Sequence, residues 1–98
     1  MRLPILNLDE VTVSEQFLKI REEVRELGVS RNRDNQLEEC IDVIQASLGL
    51  LLMIAQTKQE LENAMLEHYL KLQCRAANGG YKVRNWLNIK IGEDEQNG

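Results

Sequence analysis

Five acidic side chains stand out by type and spacing. Glu22, Glu23 and Glu26 lie in the run Glu22-Glu23-Val24-Arg25-Glu26, and Glu39 and Asp42 in Glu39-Cys40-Ile41-Asp42. Residues three apart on a helix are separated by about 60° around its axis, so Glu23 with Glu26, and Glu39 with Asp42, each form a pair on one face. The first pair sits beside Ile20 and Leu27, at the edge of an apolar stripe. The second is followed one and two turns later by Ala46 and Gly49, small residues that permit close helix approach. Antiparallel packing of two such helices brings both pairs together near the connection. Carboxylates gathered there repel one another, and loss of water penalises their ionised forms further. A hard divalent cation removes that cost, and magnesium takes oxygen donors, completing its shell with water and substrate phosphates. No histidine or cysteine set accompanies the acids, so zinc is a poor fit. A lone Glu-x-x-Glu is common on solvated helix faces. Two such pairs, the second opening an otherwise apolar helix, favour a site over a wetted surface.

The elements that must position these acids read as helices. Thr12-Val13-Ser14-Glu15 has the form of a capping box, in which a hydroxyl and a carboxylate satisfy the orphan amides of a new helix. The first helix is predicted to run to about Leu27 with Gly28 as its stop, and Phe17, Ile20, Val24 and Leu27 share its inner face. Residues Val29 to Asp34 form a short polar connection. Asn35, with Glu38 three residues on, can cap a second helix reaching about Gln56. After Asp42 this helix is apolar nearly all round, which predicts burial on every side. Thr57 and Glu60 suggest a further capping box, opening a third helix that ends near Ala77 and turns Leu61, Ala64, Met65, His68 and Leu72 inward. Residues 1–11 are an apolar, extended lead-in holding the one proline, 12–77 a helical core, and 78–98 an arm and tail. Asn78-Gly79-Gly80 breaks the helical pattern. The alternation of Tyr81, Val83, Leu87, Ile89 and Ile91 with polar residues and Trp86 then predicts an extended arm or short strand. The expected fold is all-α: three main helices per chain, in one domain, forming a bundle completed by oligomerisation.

Glu22-Glu23-x-x-Glu26, twelve intervening residues, then Glu39-x-x-Asp42 resembles the EExxE…ExxD signature of the MazG-like, all-α nucleoside triphosphate pyrophosphohydrolases. The resemblance extends to the aliphatic continuation VIQASLGLLL and to the helix order, over roughly residues 12 to 77. What it implies is hydrolysis of an NTP or dNTP to the monophosphate and pyrophosphate, with Mg2+ (or Mn2+ in its place) as cofactor. By motif position Glu23, Glu26, Glu39 and Asp42 would be the metal ligands, and Glu22 an acid behind them that orients water. A Lys/Arg pair one turn apart on the later helix looks like the family's phosphate grip, which carries over to Lys71 and Arg75. These would neutralise the β- and γ-phosphates. The alternative is that both cations solvate a helix end, where the dipole also favours them. The arm beyond Gly80 departs from the further long helix of larger members, and nucleotide preference stays open.

Composition bounds the alternatives. A chain of 98 residues buries only about 60–65% of the surface its unfolded form exposes and is marginal alone, which points to a homodimer or homotetramer with second helices packed into a shared bundle. Sixteen acids against twelve bases give a net charge of −4, which argues against nucleic acid as a partner. The five bases between His68 and Gly92, with no acid among them, suit an anionic substrate instead. The greasy run from Ala46 to Ala55 is far short of the ~20 apolar residues of a membrane span. Two cysteines, Cys40 and Cys74, make no disulfide scaffold and read as small, buried or semi-buried residues; with no signal peptide evident, a cytoplasmic setting is expected. Met53 and Met65 read as core filler, His68 as a core or interface residue, and Trp86 as packing rather than a base-stacking platform. The competing function is a non-catalytic helical oligomerisation or interaction protein whose acids are a solvated face. A weaker third is a nucleic-acid accessory protein using the basic arm.

Overall fold

The computed structural model describes residues 2–77 together with Arg84, Trp86 and Leu87. Three α-helices account for most of them: α1 (Val13–Val29), α2 (Arg33–Ile54) and α3 (Lys58–Ala77). No β-strand element occurs among the described residues. These residues fall into two compact units, 2–54 and 55–87. The predicted arm lies almost wholly outside the described residues, and Arg84, Trp86 and Leu87 belong to no helix.

In the first unit, α1 opens where the sequence places it. The Thr12 amide donates to Glu15 Oε1 at 2.9 Å and the Glu15 amide donates to Thr12 Oγ1 at 3.1 Å, closing the capping box. Such a cap contributes about 1 kcal/mol. The helix passes straight through Gly28 and ends at Val29, where the Ser30 amide donates to the Leu27 carbonyl. Gly28 is therefore not the stop. It keeps ordinary helical backbone, and a Cβ there would meet only open space. The cap of α2 is Asn32 rather than Asn35: its Oδ1 accepts from the Asn35 amide at 2.9 Å, and its carbonyl accepts from Gln36. An Asn side chain satisfies the amide three residues on equally well from either position, and the shorter connection of residues 30–32 starts the helix a turn earlier.

α1 and α2 pack as an antiparallel hairpin, since Gln16 meets Ala46 while Glu23 meets Glu39 and Asp42. The inward line on α1 is Gln16, Ile20, Glu23 and Leu27, at spacings of four, three and four. Phe17 and Val24, expected on that face, stand about half exposed, because they lie roughly 80–100° around the helix from Gln16. On α2 the inward line contains Glu39, Asp42, Ala46 and Gly49. Ala46 is the one buried apolar residue among those described. Burial of α2 on every side does not occur within the chain: α1 and the lead-in cover one flank, and Leu37, Ile41, Ile44, Leu51 and Ile54 remain exposed.

The lead-in lies along α2. Gln45 Nε2 donates to the Pro4 carbonyl at 2.7 Å, and four residues on, Leu8 reaches Gly49. A Cβ on Gly49 would come within 2.9 Å of Leu8 Cδ1 and 3.2 Å of Gln16 Nε2, so the glycine is what admits both. A pocket of about 180 Å³ sits where the lead-in crosses the helix, lined by Leu6, Leu8, Asp9, Gln45, Gly49 and Met53, among others.

In the second unit, Thr57 caps α3: its Oγ1 accepts from the Glu60 amide at 3.0 Å and its carbonyl from Leu61. The Glu60 carboxylate reaches one residue further back than expected, to the Gln56 amide at 2.6 Å. Leu61, Tyr69 and Leu72 are half-buried, whereas Ala64, Met65 and His68 are exposed, so the last three form no inner face among the described residues. Trp86, read from the sequence as packing, is exposed; its ring centroid lies 5.1 Å from that of Tyr69, at a 47° tilt. Cys40 and Cys74 are both exposed rather than buried. Met53 is half-buried, but Met65 is no core residue.

Candidate metal centre

The hairpin brings the two acidic groups together. One carboxylate oxygen from each of Glu22, Glu23 and Glu26 lies within 4.8 Å of the others, and the same holds for Glu23, Glu39 and Asp42. Glu23 belongs to both sets, which makes it the hinge between α1's acids and α2's. It is also the most enclosed of the five, only 5% exposed. Glu26 and Glu39 are half-buried, and Glu22 and Asp42 are exposed. All five predicted site acids on α1 and α2 thus lie at one end of the hairpin.

Electrostatics distinguishes them. Lys19, one turn before Glu23, places its ammonium 3.1 Å from Glu23 Oε1 and 3.3 Å from Glu22 Oε1. Hydrogen bonds to Glu23 and then Glu22 hold the Lys19 ammonium above its ordinary value. Glu39 is placed differently. Its Oε2 is shielded from solvent and has no hydrogen-bond partner among the described residues. Loss of water, and then the charges of Glu26, Asp42, Glu23 and Glu38, push its carboxyl above the ordinary range. Among the described residues the only other shielded side-chain oxygen without a partner is Ser30 Oγ, in the connection between α1 and α2.

These residues fit a hard divalent cation. The donor set is all oxygen, and Glu39 offers an oxygen that no group among the described residues satisfies. Two oxygens held at 2.0–2.1 Å by one magnesium are at most about 4.2 Å apart. Spacings up to 4.8 Å therefore lie within a small side-chain adjustment of that shell.

Lys71 and Arg75 are exposed and one turn apart on α3, in the second unit. Two residues of the first unit play parts that the acidic pattern does not announce. Lys19 is legible in principle, because Lys19 to Glu22 and Glu23 is an i,i+3 and i,i+4 arrangement. Gln16 is not. It is buried, and its Nε2 donates to the Ala46 carbonyl at 3.0 Å across the hairpin, a contact that no spacing along one helix foretells. Compared with known proteins, the chain matches no family model, no curated protein and no solved structure.

Proposed function

We propose that the protein is a magnesium-dependent nucleoside triphosphate pyrophosphohydrolase of the MazG-like type, converting an NTP or dNTP to the monophosphate and pyrophosphate. The observation that carries this reading is Glu39 Oε2, shielded and unpartnered at the point where carboxylates from two helices converge. A structural acid in that position would be expected to have acquired a donor, because a shielded acceptor left unsatisfied is costly. Glu23, Glu26, Glu39 and Asp42 would hold the ion, Mn2+ serving in place of Mg2+, with Glu22 orienting water. Bound there, the metal would supply Lewis-acid polarisation of the α-phosphate and a lowered pKa for attacking water.

The chain's own part is to hold its donors ready. The α1–α2 hairpin fixes the acids from two helices, and Lys19 restrains Glu23 and Glu22 from one side. Lys71 and Arg75 would neutralise the β- and γ-phosphates. The working unit would be a homodimer or homotetramer.

The test is a panel of canonical and modified NTPs and dNTPs incubated with purified protein and Mg2+. Monophosphate plus pyrophosphate from at least one nucleotide, lost in Glu39→Gln with Asp42→Asn, is the expected result. No product from any of them, or equal product from that double variant, overturns it. A second reading, a non-catalytic helical oligomerisation or interaction protein, is favoured by the exposed aliphatic residues of α2. It expects no rise in melting temperature with Mg2+, whereas an ion bound only by the native state must raise it.

A further inference from the structure

Glu23 stands at a boundary on α1. Taking it as zero, Gln16, Ile20 and Leu27 lie within about 60° to one side around the helix axis, the side of the seam with α2. Lys19, Glu26 and Glu22 lie about 40°, 60° and 100° to the other side. The Glu23 carboxylate therefore has two sets of companions: Glu39 and Asp42 across the seam, and Glu22 and Glu26 along its own helix, each set within 4.8 Å. A carboxylate shared in this way has the form of a bridge between two metal ions, which in two-metal sites stand about 3.5–4 Å apart. By its acids alone, this end of the hairpin has the donors of a two-ion centre.

The set along α1 already holds a cation. The Lys19 ammonium donates to Glu22 Oε1 at 3.3 Å and lies 3.1 Å from Glu23 Oε1. Across the seam no base pairs with Glu39 or Asp42 among the described residues, and Glu39 Oε2 has no donor there. We propose that Lys19 takes the place of a second metal ion, so that the centre binds one divalent cation per chain, at Glu23, Glu39 and Asp42, with Glu26 free to complete its shell and Glu22 kept out of it. This rests on the metal-centre reading given above and adds to it the number of ions and the reason one acid is not a ligand. A magnesium on Glu23 Oε1 sits 2.0–2.1 Å from that oxygen, hence no more than about 5.2 Å from the ammonium that shares it. At such a range a divalent and a unit charge repel one another even in watery surroundings. The ammonium also occupies the Glu22 and Glu23 oxygens that an ion on this side needs, while the other Glu23 oxygen is left for the ion across the seam. Lys19 is thus a positioning residue, acting through Glu23 and Glu22.

Titrated with Mn2+ in the absence of nucleotide, the full chain is expected to bind one ion, read from the loss of the free ion's paramagnetic resonance signal. Lys19→Gln should bind two, with the broadened resonance of a coupled pair. Its helicity by circular dichroism should not change, because Lys19 is half exposed. Lys19→Arg keeps a cation in place and should stay at one ion. Lys19→Gln combined with Glu22→Gln should return to one, since the added site needs Glu22. Two ions on the wild type or on Lys19→Arg, one on Lys19→Gln, or two on the Lys19→Gln, Glu22→Gln variant overturns the role given to Lys19 and leaves the hydrolase reading standing. No ion on the wild type, or one that survives Glu39→Gln with Asp42→Asn, overturns the metal centre itself and this inference with it.

Discussion

Two polar side chains enter the same helical hairpin about two turns apart, and the structure treats them in opposite ways. Gln16, near the start of α1, is buried and donates to the Ala46 carbonyl across the seam. Glu39, near the connection, is only half-buried, and its one shielded oxygen receives no hydrogen bond from the described residues. The amide end also has a glycine that makes room for it, with Leu8 of the lead-in closing the side. The carboxylate end has more carboxylates. The first is a neutral group whose polarity is answered within the chain and which fixes how α1 sits on α2. The second gathers charge that the chain leaves incompletely answered. A buried acceptor is costly without a donor, so the Gln16 end adds stability, while the Glu39 end is where the proposed ion would sit.

The sharpest way to break this contrast is to neutralise the second group. Glu39→Gln is expected to lower turnover by about 10²-fold or more, a loss typical of removing charge stabilisation at a reacting phosphate, and to abolish the Mg2+-dependent rise in melting temperature. In metal-free protein the same variant should melt higher than wild type, because the repulsion from Glu26, Asp42, Glu23 and Glu38 is gone. A variant that melts lower without metal would mean that Glu39 is a structural acid after all. The converse change, Gln16→Glu, replaces a donor by an acceptor facing the Ala46 carbonyl. It should cost about 2–3 kcal/mol at neutral pH, within the range for an unpaired buried polar group, read from urea melts.

Two glycines supply a matched comparison of smaller size. Ala is favoured over Gly in a helix by up to about 1 kcal/mol. At Gly28 nothing opposes that gain, and Gly28→Ala should stabilise the chain by roughly 0.5–1 kcal/mol. At Gly49 the new methyl would push on Leu8 and on the Gln16 amide that holds Ala46. Gly49→Ala should fall at least about 1 kcal/mol below Gly28→Ala, and equal values would show that the lead-in gives way freely.

The smallest effects are in pH. A carboxyl raised above its ordinary value of 4.5 holds its proton longer in the folded chain than in the unfolded one. Metal-free stability should therefore fall as pH rises from that value through the folded Glu39 value, then level off. The fall should vanish in Glu39→Gln and shrink with Mg2+ present. Lys19 has the opposite charge type. Its stabilising pairing is complete below its ordinary 10.5 and is lost as pH rises through its raised folded value. It is half exposed, so that alkaline loss should be slight.

Much of this architecture is legible in the order of the residues. Caps are local, which is why Thr12 and Thr57 open α1 and α3 as their sequences indicate, and i,i+3 acids share a face wherever a helix forms. Gly28 misleads because a glycine ends a helix only if the next turn is not continued, and here Val29 continues it. Asn32 and Asn35 are equally good caps by chemistry, so the choice between them falls to the connection. The inward face of α1 differs from its apolar stripe by one column: Phe17 and Val24 lie next to the true seam, and Gln16 and Glu23 occupy positions that hydrophobicity assigns to aliphatic residues.

Local chemistry is enough to specify three helices and to set five acids in two groups on the first two, because hydrogen bonding and periodicity within a helix act over three or four residues. Tertiary packing had to choose which face of α1 meets α2. It also had to settle that Gln16 finds a partner and that, among the described residues, Glu39 Oε2 does not. Those outcomes depend on atoms some sixteen to thirty-three residues apart, where close packing and the satisfaction of buried polar groups, rather than helical propensity, select the arrangement.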